Sequence, residues 1–514
     1  MAGTTAELDA TKLPDDVDQL KELVLELLRD NKRLDHRLQV LLRQRFGPSA
    51  ERIDADQLQL FANQILEQNE AASAPDPEAA TKKPRRSHGR RKLPEDLPRI
   101  RVEHDLPEAE RSCPCCGEVR RKIGEETSEQ LEYEPAKLHV IEHVRIKYAC
   151  KKCEGEVETA PKPRQAIEKC LAGPGLLAQV AVNKYSDHLP LHRLERIFKR
   201  HGVDLNRSTM CDWMRLCAEA LTPLVTLMKR RIVESAVVHT DDTPVPVQDK
   251  GRGKTKLGRF WVYVGDEDHR YAVFDYTPDR TRAGPMEWLA DYEGYLQADA
   301  YAGYDALYAT GRVVQVSCWA HARRKFYEAR LTDPGRCLQA IAWIKRLYEI
   351  EREAKDAELD VDQRGKLRED KSVPLLGDFK AWLDEQSDQV LPKSPVMEAM
   401  QYMRSRWESF TRYTTSGILA IDNNLSENTL RCVALGRKNW LFAGSDRGGQ
   451  TAATLFSLLA SSKLNGVEPW AWLSDVLRRM PDLPITRLPE LLPDQWQANH
   501  SGDTTEPVTP ATAG

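Results

Sequence analysis

Val237-Val238-His239-Thr240-Asp241-Asp242-Thr243-Pro244-Val245-Pro246-Val247 is a β-branched run that meets two adjacent carboxylates and is then stopped by two prolines. β-Branched side chains favour a strand. A strand can hold a carboxylate rigidly at its end, as a divalent metal requires. An Asp in that position also serves as an ordinary turn former, so the reading depends on whether the rest of the chain supplies partners.

Downstream, the spacing predicts strands over Gly258–Val264 and Tyr271–Tyr276 and a helix over Gly284–Tyr292. Gly294-Tyr295-Leu296-Gln297-Ala298-Asp299 reads as a short strand that ends in a second Asp. Tyr304–Tyr308 reads as helix and Val313–Cys318 as strand. The order is β-β-β-α-β-α-β, with a carboxylate closing the first and fourth strands. Residues 322–420 form a helical insertion too long to be a loop, with Trp343, Trp382 and Trp407 as core candidates. Ile421-Asp422-Asn423-Asn424 then opens a helix. Leu425, Thr429, Cys432 and Val433 are read as its apolar face, and Asn424, Glu427, Asn428 and Arg431 as its polar face. The amphipathic segment Trp470–Met480 precedes a Pro/Thr-rich tail from about 497.

Upstream, Leu13, Leu20, Leu27, Leu34 and Leu41 recur every seven residues, with Val17, Val24, Asn31 and Leu38 in the other seam position. Leucine at d, β-branched residues at a and one seam Asn favour a parallel two-stranded coiled coil. Between Lys82 and Lys92 lie seven basic residues and no acidic one, a run that suits either phosphates or a solvated linker. Cys113-Pro114-Cys115-Cys116 and Cys150-Lys151-Lys152-Cys153 give two C-x-x-C knuckles, joined by the alternating, strand-like Leu138–Tyr148. Cys113, Cys116, Cys150 and Cys153 therefore suit tetrahedral structural Zn²⁺, with Cys115 as an alternative ligand. Over 173–220, a helix closed at His201-Gly202 is followed by a helix starting at Asn206-Arg207-Ser208. The second helix buries Met210, Trp213, Met214 and Cys217 and offers Arg207 and Thr209 at its start, a helix-turn-helix layout.

The 514 residues suffice for several domains, and a net charge of −4 with 30% charged residues does not announce a nucleic-acid binder, so local distribution matters more than the sum. No run of about 18 apolar residues predicts a membrane span, and the N-terminus lacks the order of a signal peptide. A cytosolic protein with reduced cysteines is expected.

Three carboxylates in this element order resemble the ribonuclease-H-like nucleotidyltransferase fold. That likeness implies that the first and fourth strands are neighbours, that Asp241 and Asp299 lie side by side, and that Glu427 comes over them from the later helix. Anionic oxygens so close repel unless cations lie between them. Two Mg²⁺ (or Mn²⁺) ions roughly 4 Å apart would activate the attacking oxygen and stabilise the leaving one. The chain further resembles the DDE transposases of bacterial insertion sequences, most closely the family of insertion sequence sixty-six. The markers are Phe46-Gly47-Pro48-Ser49-Ala50-Glu51, the paired C-x-x-C unit and His239-Thr240-Asp241-Asp242-Thr243-Pro244. They continue with Gln297-Ala298-Asp299-Ala300-Tyr301-Ala302-Gly303-Tyr304 and Cys318-Trp319-Ala320-His321-Ala322-Arg323-Arg324-Lys325-Phe326. Asn423-Asn424-Leu425-Ser426-Glu427, Arg437-Lys438-Asn439-Trp440 and Gly448-Gly449 complete the set.

The resemblance implies Asp241, Asp299 and Glu427 as catalytic Mg²⁺ ligands, and terminal inverted repeats and target DNA as partners. It chooses Asp241 over Asp242, which alternation alone leaves open because neighbouring strand residues face opposite ways. Two departures stand out: the family often has Asp-Glu where this chain has Asp241-Asp242, and Glu-Arg where this chain has Glu427-Asn428. Arg431, one turn on, is a substitute partner for Glu427. His321 is a candidate for site support, and Arg207, Thr209, Arg323, Arg324, Arg431, Arg437 and Lys438 are candidate DNA contacts.

The expected architecture is multidomain α+β. A leucine-zipper coiled coil spans 13–46, a helix and basic linker 47–98, and a zinc ribbon 99–165. A helix-turn-helix domain spans 172–232, and a ribonuclease-H-like catalytic domain 233–450 carries the insertion 322–420. A C-terminal helical segment spans 451–496 and a disordered tail 497–514. The expected assembly is a homodimer or higher oligomer through the zipper, with accessory proteins encoded by the same element as further partners. Two rival readings are a catalytically silent zinc-containing DNA-binding regulator derived from a transposase, and a structure-specific nuclease of the same fold.

Overall fold

The computed structural model describes residues 16–22, 24–25, 138–148, 158–159, 161, 163–249, 251 and 253–500. The chain divides into one unit of Met1–Ala71 with Lys162–Gly514 and a second of Ala72–Pro161. Within the second, β1 (Lys147–Tyr148) pairs antiparallel with β2 (Glu158–Thr159). The rest of the alternating stretch from Leu138 is not strand: Val140 is 94% exposed, so the apolar alternation there has no face to bury. The four knuckle cysteines, the basic run and most of the heptad lie outside the described residues. The described heptad stretches, at 17–22 and 24–25, are helical, with the seam residues Val17 and Val24 exposed.

The first unit is built on a five-stranded mixed sheet. Its strands are β3 (Val237–Asp249), β4 (Lys254–Val264), β5 (Ala272–Thr277), β6 (Gly294–Ala298) and β7 (Val313–Ser317), ordered β5-β4-β3-β6-β7. β3, β4 and β5 are antiparallel neighbours, while β6 runs parallel to β3 and β7 parallel to β6. The first and fourth strands of this sheet are therefore adjacent, as expected. β3 does not stop at its prolines. From Thr240 onward its β6 side is free of the ladder, and Pro244 and Pro246 turn their carbonyls that way. The Arg437 guanidinium donates to the first and the Ala443 N–H to the second, at 2.8 Å. A proline that lacks an N–H is tolerated where no ladder needs one.

Helices cover both faces. One core joins β3–β5 to α1 (Pro174–Tyr185), α2 (Leu191–Arg200) and α3 (Arg207–Val233). Met210, Trp213, Met214 and Cys217 are buried as expected, but α3 runs on for 27 residues, and Leu221, Leu224, Met228 and Ile232 extend the same buried stripe. Residues 172–232 thus pack into the core of the sheet, because the apolar period continues well past the expected recognition helix. The other core holds β7 with α6 (Trp319–Ala329), α7 (Pro334–Asp356), α9 (Val373–Ser387) and α10 (Pro395–Arg404). Between α7 and α9 lie α8 (Val361–Leu367) and a π-turn, Arg368–Ser372. Within the first core's span, α4 (Ala283–Trp288) and α5 (Asp305–Tyr308) are the short connectors expected between strands. After α10 come α11 (Trp407–Thr411) and α12 (Asn424–Gly436), then α13 (Asp446–Leu464) and α14 (Pro469–Arg479). A last helix, α15 (Pro493–His500), continues beyond 497, where the tail was expected to begin.

The outer strand β5 is closed by a helix. α13 presents Ser457 and Ser461, whose hydroxyls accept the Phe274 N–H at 2.8 Å and the Ala272 N–H at 3.0 Å. Both serines are fully buried, so the open edge of the sheet is satisfied without water or a further strand. Replacing either by alanine leaves a buried backbone N–H without an acceptor. Ser461→Ala should lower stability by about 1–3 kcal/mol, read from urea unfolding, and Ser457→Ala should do the same. A change indistinguishable from zero would contradict this role.

Candidate active site

The register of β3 on β6 pairs Val238 with Leu296 and His239 with Gln297. Continued by two residues, the same offset brings Asp241 level with Asp299, immediately beyond the C-terminal end of β6. Residues two apart share a face, so His239 with Gln297 and Asp241 with Asp299 form two successive rows on one side of the sheet.

The lower row grips the segment that leads into α12. The Gln297 amide donates to the carbonyls of Ala420 (2.6 Å) and Asp422 (2.9 Å). The Asn423 amide donates to the Thr240 carbonyl at 2.8 Å, and its Oδ1 lies 3.2 Å from His239 Nδ1. Burial pushes the His239 imidazole down to about 4, against the pull of the Asn423 bond. The ring is therefore neutral and donates from Nδ1 to that oxygen. The Asn423 N–H meets the Cys318 sulfur at 3.2 Å, and the Trp319 N–H donates to the Ile421 carbonyl at 3.2 Å. Asn423 and Gln297 are completely buried. These bonds fix the start of α12, and Glu427 follows in its first turn.

The buried face of α12 is Ser426, Leu430, Val433 and Gly436, and Leu425 is 38% exposed. This corrects the expected apolar face, of which only Val433 is buried. Hydrophobicity alone pointed to Leu425, but the anchored Asn423 sets the helix rotation. The result turns Glu427 toward the upper row.

There the charges of Asp299 and Glu427 act on Asp241. Burial pushes the Asp241 carboxyl up to about 7, and the negative charges of Asp299, Asp242 and Glu427 add to the effect, against the Asp242 N–H that Asp241 accepts at 2.8 Å. Burial also raises Asp299, opposed by His321, by the Tyr301 N–H and by Arg280. His321 Nδ1 lies 3.6 Å from Glu427 Oε1, and Arg324 lies 3.6 Å from Glu427 Oε2. Burial lowers the His321 pKa, while Glu427 and Asp299 resist that fall.

Asp242 points elsewhere. Its carboxylate takes Arg259 at 2.7 Å and Arg280 at 2.8 Å, and the side chain is 3% exposed. Arg280 also comes within 3.7 Å of Asp299 and stacks on Tyr301, with its guanidinium carbon 4.5 Å from the ring centroid. The adjacent acids thus divide: Asp241 joins the carboxylate group, and Asp242 belongs to an arginine pair.

The other expected contacts are spread out. Arg207 and Thr209 are exposed at the start of α3, Arg323 and Arg324 on α6, and Arg431 and Lys438 on or just after α12. Glu427 pairs with Arg324 and His321, whereas Arg431 faces solvent. Arg437 is half-buried and committed to the Pro244 carbonyl, so it ties the end of α12 to β3. Sequence reasoning missed the roles of His239, Gln297, Asn423, Arg259 and Arg280. The first two carried a signal, since each stands two residues before an Asp and so on the same strand face.

Two atoms near the carboxylates, His321 Nδ1 and Glu427 Oε1, are buried without a hydrogen-bond partner. Unpartnered oxygen beside mutually repelling carboxylates is what a cation would relieve, and an all-oxygen set fits a hard divalent ion.

Comparisons with known proteins agree along the chain. The model of the transposase IS66 family matches residues 169–451, a stretch that contains Asp241, Asp299, His321 and Glu427. The zinc-finger binding domain of transposase IS66 matches 110–154, which includes all four knuckle cysteines. The model described as transposase C of IS166 homeodomain matches 33–102, and the IS66 C-terminal element matches 457–493. Among relatives, the uncharacterized protein y4hP of Sinorhizobium fredii is 37% identical over 79% of this chain and 77% of its own length. The uncharacterized protein y4jD of the same organism is 34% identical over 96% of this chain and 98% of its own. Among the described residues no helix is long and apolar enough to cross a membrane.

The raised Asp241 carboxyl has a consequence for stability. The folded state holds that proton to about pH 7, whereas an unfolded Asp releases it near 4. Stability is therefore fully present below the ordinary carboxylate range and falls as pH rises to about 7. Asp241→Asn should stabilise the protein in Mg²⁺-free buffer at pH 8 by roughly 2–4 kcal/mol and by much less at pH 5. Urea unfolding at the two pH values reads the difference; an Asn variant less stable at pH 8 would contradict it.

Proposed function

We propose a function from one premise: the chain belongs to the transposase IS66 family. It is a DNA transposase that binds the terminal inverted repeats of its element, cleaves DNA by metal-dependent hydrolysis and joins the freed 3′-hydroxyl ends to target DNA. The observation that carries this is the meeting of Asp241, Asp299 and Glu427, drawn from β3, the end of β6 and α12. A sheet of three antiparallel strands continued by two parallel ones supports the ribonuclease-H-like reading.

Asp241, Asp299 and Glu427 would hold Mg²⁺ or Mn²⁺. Such ions would supply Lewis-acid activation of water and of the 3′-hydroxyl, and charge neutralisation at the phosphate. The protein's part is to aim the ligands and hold them together until a cation offsets their charge. Arg280 beside Asp299, and His321 with Arg324 beside Glu427, keep positive charge and N–H donors at the rim of the group. DNA phosphates would meet Arg207, Thr209, Arg323, Arg324, Arg431 and Lys438. Arg437 is left out because its guanidinium serves the fold.

The expected divisions, 13–46, 47–98, 99–165, 172–232, 233–450, 451–496 and 497–514, carry over as functional segments, although 172–232 packs in the core of the sheet. Zn²⁺ on Cys113, Cys116, Cys150 and Cys153 would hold the 99–165 segment together, and the heptad would pair two protomers. Accessory proteins of the same element and a place at the bacterial nucleoid complete the reading.

Purified protein with Mg²⁺ should nick and join DNA carrying the element's ends. Asp241→Asn should reduce this by on the order of a thousandfold or more while end binding persists. Cleavage undiminished in Asp241→Asn would sink the assignment. End binding without cleavage under any metal would favour a silent regulator, and cleavage of branched DNA without end preference a nuclease.

A further inference from the structure

Three side chains of unlike chemistry converge on the flank of the carboxylate group. Cys318 immediately precedes α6, His321 lies in its first turn, and Glu427 comes from the first turn of α12. The Cys318 sulfur, a ring nitrogen of His321 and a carboxylate oxygen of Glu427 lie within 4.8 Å of one another. The unpartnered His321 Nδ1 and Glu427 Oε1 face each other across 3.6 Å, and Arg324 approaches the other Glu427 oxygen and leaves Oε1 free. The Cys318 sulfur accepts the Asn423 N–H, and burial pushes its thiol up to about 12, so it takes a cation only by giving up its proton. A Cys and a His three residues apart at a helix start have the spacing of a metal-holding knuckle.

A hard ion gains little from sulfur or imidazole, whereas a set of one sulfur, one nitrogen and one oxygen selects borderline ions. We propose that Cys318, His321 and Glu427 form a second cation site that takes Zn²⁺ or a similar transition ion, and that filling it withdraws Glu427 from Asp241 and Asp299. Binding releases the thiol proton to solvent as the metal–sulfur bond forms, with no change of oxidation state. Water or a phosphate oxygen completes the coordination. Because Glu427 Oε1 faces His321 and Oε2 faces Arg324, an ion held with His321 leaves no Glu427 oxygen free for the first site, and Zn²⁺ becomes an inhibitor that competes with Mg²⁺. That inhibition rests on the functional reading above; the binding site does not.

Co²⁺ added to the full-length, zinc-loaded protein reads the site directly. The expected result is about one further equivalent bound, with a thiolate-to-cobalt charge-transfer band. Cys318→Ser should remove the band, and His321→Asn should weaken Co²⁺ binding by about tenfold or more. A band that survives Cys318→Ser overturns the site. If Cys318→Ser does not fold, unaltered Co²⁺ affinity in His321→Asn overturns it instead. In the cleavage assay, Zn²⁺ should inhibit the native protein about tenfold or more, relieved by excess Mg²⁺ and by Cys318→Ser. Absence of Mg²⁺-dependent cleavage in native protein would strike the functional reading and leave the cobalt result standing.

Discussion

The grip of Asn423 and Gln297 on the sheet is the constraint on which the rest of the site depends. Glu427 follows a helical excursion of about a hundred residues after β7, so nothing local determines where it lies. The Gln297 amide reaches across 125 residues to the Asp422 carbonyl, and the Asn423 amide across 183 to the Thr240 carbonyl. All these groups are buried, so leaving any one unpaired would cost more than an exposed bond returns. The same bonds set where α12 begins and how it is rotated. A carboxylate from a distant part of the chain thereby comes to the row already defined by the β3–β6 register.

Bringing charges together in this way has an electrostatic cost that the surroundings offset only in part. Asp242 is neutralised by Arg259 and Arg280. Asp299 has Arg280 at 3.7 Å, and Glu427 has His321 and Arg324 at 3.6 Å. Among the described residues Asp241 forms no ion pair, and its carboxyl is the one pushed up to about 7. The protein therefore completes the charge balance of the outer acids and leaves the central one for a cation. Perturbed carboxylates in such a group mark functional sites more often than structural ones.

Much of this was legible in the sequence, for identifiable reasons. The order of elements along the chain followed from short strand-like runs, with Asp299 legible as the end of one of them, while the pairing of the first and fourth strands came only from the family resemblance. The buried stripe from Met210 to Cys217 was visible from its spacing, but its continuation to Ile232 makes α3 part of the sheet's core. The alternation of Leu138–Tyr148 suggested a strand, yet pairing is limited to Lys147–Tyr148, because periodicity states a preference and supplies no partner. The rotation of α12 was misread for a related reason: Leu425 is more hydrophobic than Ser426, but only the anchored Asn423 decides which of them faces inward. Asp241 and Asp242 could not be separated by alternation, and it is Arg259 and Arg280, distant in sequence, that claim the second.

Asp241, Asp299 and Glu427 are the proposed ligands of one divalent-cation centre. Anomalous scattering from crystals of the protein soaked in Mn²⁺ tests it most directly. Manganese peaks are expected between the carboxylates of Asp241, Asp299 and Glu427, with Asp242 still bound to Arg259 and Arg280. Manganese held by Asp242, or peaks that leave Glu427 without a metal contact, would contradict it.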